Sequence, residues 1–99
     1  MPRLLVIDDE PAVGYSFRRA FERDGIEVID ARTGATGVER FRADAPDVVV
    51  LDVRLPDRGG LDVFRDLRAI DPRRPVIVIT AHGTTDTAIE AMKEGAFEY

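Results

Sequence analysis

The stretch DVVVLDVRLPD, residues 47–57, is the part of this 99-residue chain that decides the fold class. A short run of apolar, mostly β-branched residues ends on Asp52, and a loop that contains Pro56 follows at once. An apolar run of this length is typical of a strand that is buried on both faces of a parallel sheet. Asp52 would then lie at the carboxyl end of the strand, which is the edge where open α/β sheets carry their functional groups. A carboxylate at that edge is a candidate nucleophile or cation ligand.

The composition is that of one globular domain. Hydrophobic residues make up 44% of the chain and charged residues 33%, which does not fit a disordered protein. The net charge of −5 argues against direct binding of nucleic acid or of an anionic membrane surface by this segment. Cysteine is absent, which excludes disulfides and thiolate metal sites. No apolar stretch has the length of a signal peptide or a membrane span, so the expected location is the cytoplasm.

Strand-like and helix-like segments alternate from end to end, which predicts βαβ units around a parallel sheet. The predicted strands are Leu4–Ile7, Ile26–Ile29, the run that ends at Asp52, Pro75–Ile79 and Ala96–Tyr99. The predicted helices run from Pro11 to just before Gly25, from Thr33 or Gly34 to Ala45, across Leu61–Ile70, and from Thr84 or Thr85 to Gly95. The phenylalanines are expected in the core, and the last of these helices is expected to turn Ala88, Ile89 and Met92 inward.

Three carboxylates and one hydroxyl follow the predicted strands. Asp8 and Asp9 follow the first strand, Asp52 ends the third, and Thr80 closes the fourth. Right-handed crossovers place the carboxyl ends of all these strands at one edge of the sheet. If the first and third strands are neighbours, the three carboxylates lie close together. One acid in the first turn of a helix is common by itself, so it is the whole set that favours a functional site.

The chemistry of this set predicts a metal ion. Like charges repel strongly in a partly dry site, and a divalent cation relieves that repulsion. Ligation by oxygen alone favours a hard ion, and Mg²⁺ is the expected one. Because Mg²⁺ usually takes one or two carboxylates together with a phosphate oxygen, the site also predicts a phosphoryl ligand.

Four spaced blocks of the sequence resemble the receiver domain of two-component response regulators. They are VIDDEP (6–11), DVRLP (52–56) with Gly60, ITAHG (79–83) and TAIEAMKEGAFEY (87–99). The last block is most similar to receivers of sigma-54-dependent, NtrC-type transcriptional regulators. The resemblance covers essentially the whole chain in the right order. It implies a doubly wound, flavodoxin-like or CheY-like α/β fold with the strand order 2-1-3-4-5.

The resemblance implies roles for four candidate site residues, Asp8, Asp9, Asp52 and Arg54. Asp52 would be the phosphoacceptor, which attacks the phosphohistidine of a sensor histidine kinase. Asp9 would ligate Mg²⁺ directly, and Asp8 would do so through water or as second support. Asp52 and the backbone carbonyl of Arg54 would complete the protein's share of the coordination.

The resemblance also implies a switch in residues 80–99. Thr80 would hydrogen-bond the phosphoryl group, and Tyr99 would be the aromatic residue that turns inward when Thr80 moves. The switch would control a C-terminal output domain, absent from this chain, that regulates transcription. The chain would catalyse its own phosphotransfer and dephosphorylation and would not be an enzyme in the wider sense.

The sequence departs from the family pattern at its C-terminal end. Receivers carry a lysine just after the fifth strand, whereas this chain ends at Tyr99, before that position, and Lys93 does not match it. The fifth strand is therefore expected to be incomplete and the last helix missing, which would expose apolar side chains of the third and fourth strands. We expect residues 1–99 to be one incomplete receiver domain. It would be either a fragment or a domain whose exposed face another chain covers, as in a homodimer.

Two other functions stay open. A pseudo-receiver would act as an interaction module and never take a phosphoryl group; the absent lysine favours it, and the four intact site residues oppose it. A small Mg²⁺-dependent phosphohydrolase with an aspartyl nucleophile usually has a second acid two residues after the nucleophile. This chain has Arg54 at that position.

Overall fold

The computed structural model describes residues 2–79 and 86–98, in which strands and helices alternate. The strands are β1 (Arg3–Ile7), β2 (Glu27–Ala31), β3 (Val48–Asp52), β4 (Val76–Ile79) and β5 (Phe97–Glu98). The helices are α1 (Pro11–Phe21), α2 (Gly34–Asp44), α3 (Gly60–Ile70) and α4 (Asp86–Lys93). All strand pairs are parallel, in the order β2-β1-β3-β4-β5. The flavodoxin-like architecture and the order 2-1-3-4 are confirmed, and the short β5 pairs with β4.

The two central strands, β1 and β3, fix the geometry of the functional edge. Their side chains are buried on both faces of the sheet, as the apolar sequence of β3 predicted; Leu5, Ile7, Val49 and Leu51 are all 0% exposed. The register pairs Ile7 with Leu51, and on the other side of β3 it pairs Asp52 with Ile79. The residues that follow β1 therefore lie beside the carboxyl end of β3.

Two apolar layers cover the sheet. The larger layer contains Phe41 of α2, Phe64 and Leu67 of α3, and the small residues of α4, packed on the central strands. The smaller layer lies under α1 and contains the buried residues Leu4, Val6, Val28 and Val50. On the α1 side an open apolar groove of about 330 Å³ runs past Phe17, Phe21, Val48, Val50 and Ile77.

The first helix and the second strand differ most from the prediction. The first helix ends at Phe21, and a 3-10 turn, Glu22–Asp24, leads to Gly25. Gly25 adopts φ 80°, a left-handed conformation that glycine accepts easily, so it ends the turn rather than the helix. The second strand is Glu27–Ala31 instead of Ile26–Ile29, because its register with β1 begins at Glu27 and ends at Ala31. It lies at the edge of the sheet, as the predicted order 2-1-3-4-5 requires.

Two side chains expected in the core are exposed. Ile89 is 39% exposed, because α4 buries Ala88 and Ala91, one helical turn apart, against the rest of the protein. Phe97 is 59% exposed on β5, which is at the edge of the sheet in the described residues. These apolar side chains lie on the surface that α4 and β5 present to solvent.

The described helices are short. The longest three, α1, α2 and α3, have 11 residues each, whereas a span of the bilayer requires about 20. In residues 2–79 and 86–98, no helix is both long and apolar enough to cross a membrane.

Candidate metal centre

Three carboxylates meet at the carboxyl edge of the sheet. Asp8 and Asp9 directly follow β1, and Asp52 is the last residue of β3. One oxygen from each of the three side chains lies within 4.8 Å of the other two. Asp8 is only 7% exposed, Asp52 is half-buried, and Asp9 is exposed. The structure thus brings together the three acids that strand adjacency predicted to be neighbours.

Hydrogen bonds hold Asp8 at both its backbone and its side chain. Its N–H donates to the carbonyl of Ala31 at the end of β2, at 3.0 Å. Its Oδ1 accepts from the N–H of Glu10, at 2.9 Å. Pro11 then begins α1, a position where the missing N–H of proline costs nothing. The tight passage from β1 into α1 therefore fixes the direction of the Asp8 carboxylate.

A closed loop orients Asp52. Its Oδ1 accepts from the N–H of Arg54, at 3.1 Å. Behind it the N–H of Gly60 donates to the carbonyl of Val53, at 3.1 Å, and Arg54 is bridged to Gly59. A Cβ on Gly60 would lie 2.5 Å from the Cα of Val53, so closure of this loop requires glycine at position 60. We call residues 53–59 the acceptor loop.

Burial and the charges of neighbouring acids raise the pKa values of Asp8 and Asp52. Burial raises the pKa of Asp8 from 3.8 to about 6; the N–H of Glu10 opposes this, and the charges of Asp52, Asp9 and Glu10 add to it. Burial also raises the pKa of Asp52, against the opposing effect of the Arg54 N–H and with the charge of Asp9 adding to it. A side-chain hydrogen bond with Asp8 acts in the opposite direction and lowers the pKa of Asp52.

The cluster fits a hard divalent cation. It offers carboxylate oxygens from three side chains at one point, and such donors are preferred by Mg²⁺ and Ca²⁺. Burial is the main cause of the raised pKa of Asp8, and the negative charges of Asp52 and Asp9, which add to it, are charges that a cation would neutralise. Asp8, Asp9 and Asp52 are therefore the side chains that could hold a metal ion.

Three predicted roles are not tested by these contacts. Thr80 and Tyr99 lie outside the described residues, so their switch roles stay predictions. The backbone carbonyl of Arg54 as a metal ligand also stays a prediction. What the structure adds for Arg54 is a different contact, the N–H that orients Asp52.

One residue at this edge, Asp57, has contacts that nothing in the local sequence predicts. Its carboxylate accepts from the N–H groups of Gly34 and Ala35, at 2.8 and 3.0 Å, and so caps α2 from the acceptor loop. Aspartate after proline in a loop is common. Its partners are 23 and 22 residues away, however, and no local pattern identifies them.

A doubly wound sheet with an acidic cluster at the carboxyl ends of β1 and β3 is the arrangement that the resemblance to receiver domains predicted. Residues 4–99 match the response regulator receiver domain family, and the chain belongs to that family. It is the receiver domain of a two-component response regulator.

Individual relatives agree with this assignment. The chain is 38% identical to the regulatory protein AtoC of Escherichia coli K12 over 97 residues, which are 98% of this chain and 21% of AtoC. The resemblance to NtrC-type regulators is thus confirmed. A receiver domain structure from Clostridium thermocellum has a TM-score of 0.89 and 40% identity, over 100% of this chain and 80% of that one. A response regulator from Burkholderia pseudomallei, crystallised with a phosphorylated aspartic acid, calcium ion and citrate, has a TM-score of 0.88 and 27% identity, over 100% of this chain and 58% of that one.

Proposed function

We propose that Asp52 accepts a phosphoryl group from the phosphohistidine of a sensor histidine kinase, in a reaction that requires Mg²⁺. The observation that carries this proposal is the half-buried carboxylate of Asp52 at the end of β3, within 4.8 Å of the carboxylates of Asp8 and Asp9. The relative from Burkholderia pseudomallei, which was crystallised with a phosphorylated aspartic acid and a calcium ion, supports it.

The chemistry asks little of the protein beyond alignment and charge neutralisation. A carboxylate oxygen of Asp52 attacks the phosphorus in line, the bond from phosphorus to the donor nitrogen breaks, and the imidazole leaves with its electron pair and takes up a proton. The N–H of Arg54, at 3.1 Å from Oδ1, keeps the carboxylate in one orientation for this attack. The product is an acyl phosphate, which water later cleaves to restore Asp52.

The acids beside Asp52 would hold the metal. Asp9 is exposed and suited to ligate the ion directly. Asp8 is buried and suited to bind the ion through water or as a second support. The Arg54 carbonyl would complete the set. When bound at these residues, Mg²⁺ would supply positive charge that offsets the negative charge of the transferring group. Because its pKa is raised to about 6, Asp8 must lose its proton before the site reaches full affinity for the ion.

Phosphorylation would act on a partner through the region after β4. The added charge would bias residues 80–99, including Thr80 and Tyr99, between two arrangements. The chain spans about a fifth of the length of AtoC, and we propose that an output domain which regulates transcription reads this change. The only reactions that the receiver would promote are its own phosphorylation and dephosphorylation, and we expect them to take place in the cytoplasm.

Incubation with acetyl phosphate and Mg²⁺, followed by intact-mass measurement, tests the proposal. We expect one added phosphoryl group, which is lost in Asp52→Asn and on chelation of Mg²⁺. Asp62→Asn is the control, because Asp62 is an exposed acid in the first turn of α3, outside the cluster, and should leave the adduct unchanged.

The outcome separates the two readings of the family resemblance. An adduct that forms only after extension of the chain through the family lysine would show that phosphorylation needs that residue. No adduct in either version would overturn the proposal and favour the pseudo-receiver.

A further inference from the structure

We propose that Asp57 is a positioning residue for the phosphoacceptor: it ties the acceptor loop to the start of α2 and so holds the Arg54 N–H against Asp52. The inference rests on the proposed function of Asp52. It concerns how that carboxylate is kept ready to react.

Both carboxylate oxygens of Asp57 accept hydrogen bonds from the backbone of α2. Oδ1 accepts from the N–H of Gly34 at 2.8 Å, and Oδ2 accepts from the N–H of Ala35 at 3.0 Å. The next N–H, that of Thr36, donates to the side chain of Thr33 at 3.1 Å. The first N–H groups of a helix have no partner within the helix. Here a side chain from a distant loop supplies two of the partners, and two bonds fix the direction of a carboxylate better than one.

The start of α2 packs closely against α3 and the acceptor loop. A Cβ on Gly34 would lie 2.7 Å from Cγ2 of Val63 in α3 and 3.4 Å from Oδ1 of Asp57. Glycine at position 34 therefore lets the start of α2 seat against α3 and the acceptor loop together. The N–H groups of Gly34 and Ala35 also lower the pKa of Asp57, so its charge persists and faces the positive end of the helix.

The hydrogen bonds of Asp57 with Gly34 and Ala35 hold a loop that is otherwise exposed. Arg54, Pro56, Asp57 and Gly59 all lie at the surface. The loop is closed at its base by the Gly60–Val53 hydrogen bond, and Asp57 anchors its outer turn. Arg54 lies between these two anchors, and its N–H contacts Oδ1 of Asp52. Arg54 is also bridged to Gly59, so release of the outer turn would loosen Arg54 and, through it, the acceptor carboxylate.

A pair of matched variants separates positioning from stability. Asp57→Ala and Thr33→Ala each remove side-chain hydrogen bonds from the start of α2, but only Asp57 belongs to the acceptor loop. We expect Asp57→Ala to lower the rate constant for phosphorylation by acetyl phosphate, at saturating Mg²⁺, by about tenfold, since small misplacement of a reacting group is costly. Asp57→Asn keeps one acceptor oxygen and should be intermediate. Thr33→Ala should lower the melting temperature but keep the wild-type rate.

An unchanged rate in Asp57→Ala, or an equal loss in Thr33→Ala, would overturn the inference. Amide hydrogen exchange without any phosphoryl donor provides an independent test. The Arg54 amide should exchange about tenfold faster in Asp57→Ala and at the wild-type rate in Thr33→Ala. If the wild type takes no phosphoryl group yet shows this exchange pattern, the proposed function fails and the tie stands. An unchanged exchange rate of the Arg54 amide in Asp57→Ala would overturn the proposed role of Asp57, whatever the phosphorylation result.

Discussion

Replacement of Asp8 by asparagine is expected to raise the free energy of unfolding of the metal-free protein by up to about 3 kcal/mol at neutral pH. Burial raises the pKa of Asp8 from 3.8 to about 6, so the folded protein disfavours the charge that it carries at neutral pH. Asparagine removes the charge and keeps an oxygen that can accept from the Glu10 N–H. The buried charge of Asp8 in the proposed acceptor site therefore lowers the stability of the metal-free protein.

The sign of the pH dependence follows from the same shift. The folded state binds the Asp8 proton more tightly than the unfolded chain does, so protonation of Asp8 stabilises the fold. This contribution is fully present below pH 3.8, declines as the pH rises, and is lost above about 6. The variant lacks this decline, and its stability should depend less on pH across the interval.

Urea unfolding, followed by circular dichroism in chelator between pH 4 and pH 8, measures both effects. Asp9→Asn is the matched control, because Asp9 is an exposed member of the same cluster and should give a smaller gain. Added Mg²⁺ should stabilise the wild type more than it stabilises Asp8→Asn. An Asp8→Asn protein that is less stable than the wild type in chelator would contradict the prediction.

Gly60→Ala is expected to cost about 3 kcal/mol of stability, the upper end of the range for overpacking. Its new Cβ would lie 2.5 Å from the Cα and 2.9 Å from the carbonyl oxygen of Val53, and both are backbone atoms of the acceptor loop. Neither atom can move away without displacing the end of β3. We therefore expect weaker Mg²⁺ binding and slower phosphorylation of Asp52 as well.

Gly59→Ala is the control for this change. The nearest atom to a Cβ at position 59 is Oδ2 of Asp62, at 3.9 Å, and the backbone there has φ −70°, which alanine adopts freely. The expected change in stability is less than about 1 kcal/mol, with wild-type affinity for Mg²⁺. Denaturant unfolding and calorimetric titration with Mg²⁺ of both variants check the comparison. Equal losses of stability in the two variants would show that the close contact at Gly60 is not the cause.

The sequence by itself determined the fold class and the membership of the acidic cluster. The apolar run before Asp52 is typical of a doubly buried strand in a parallel sheet, and its alternation with helical segments predicted βαβ units. The strand order came from the resemblance to receiver domains. Once β1 and β3 were neighbours, Asp8, Asp9 and Asp52 had to meet, because the carboxyl ends of parallel strands share an edge. Periodicity predicted the elements, and the resemblance supplied the neighbouring positions of the first and third strands.

Only the tertiary structure decided how that cluster is held. Asp8 is buried by its surroundings in the fold, and Asp57 accepts two hydrogen bonds from N–H groups of α2, which lie far from it in the chain. Position 60 requires glycine because a Cβ there would lie too close to the backbone of Val53. The exposure of Ile89 and the end of α1 at Phe21 likewise depend on what packs nearby. Local periodicity carries no information on such contacts, since they are set by the packing of whole elements against one another.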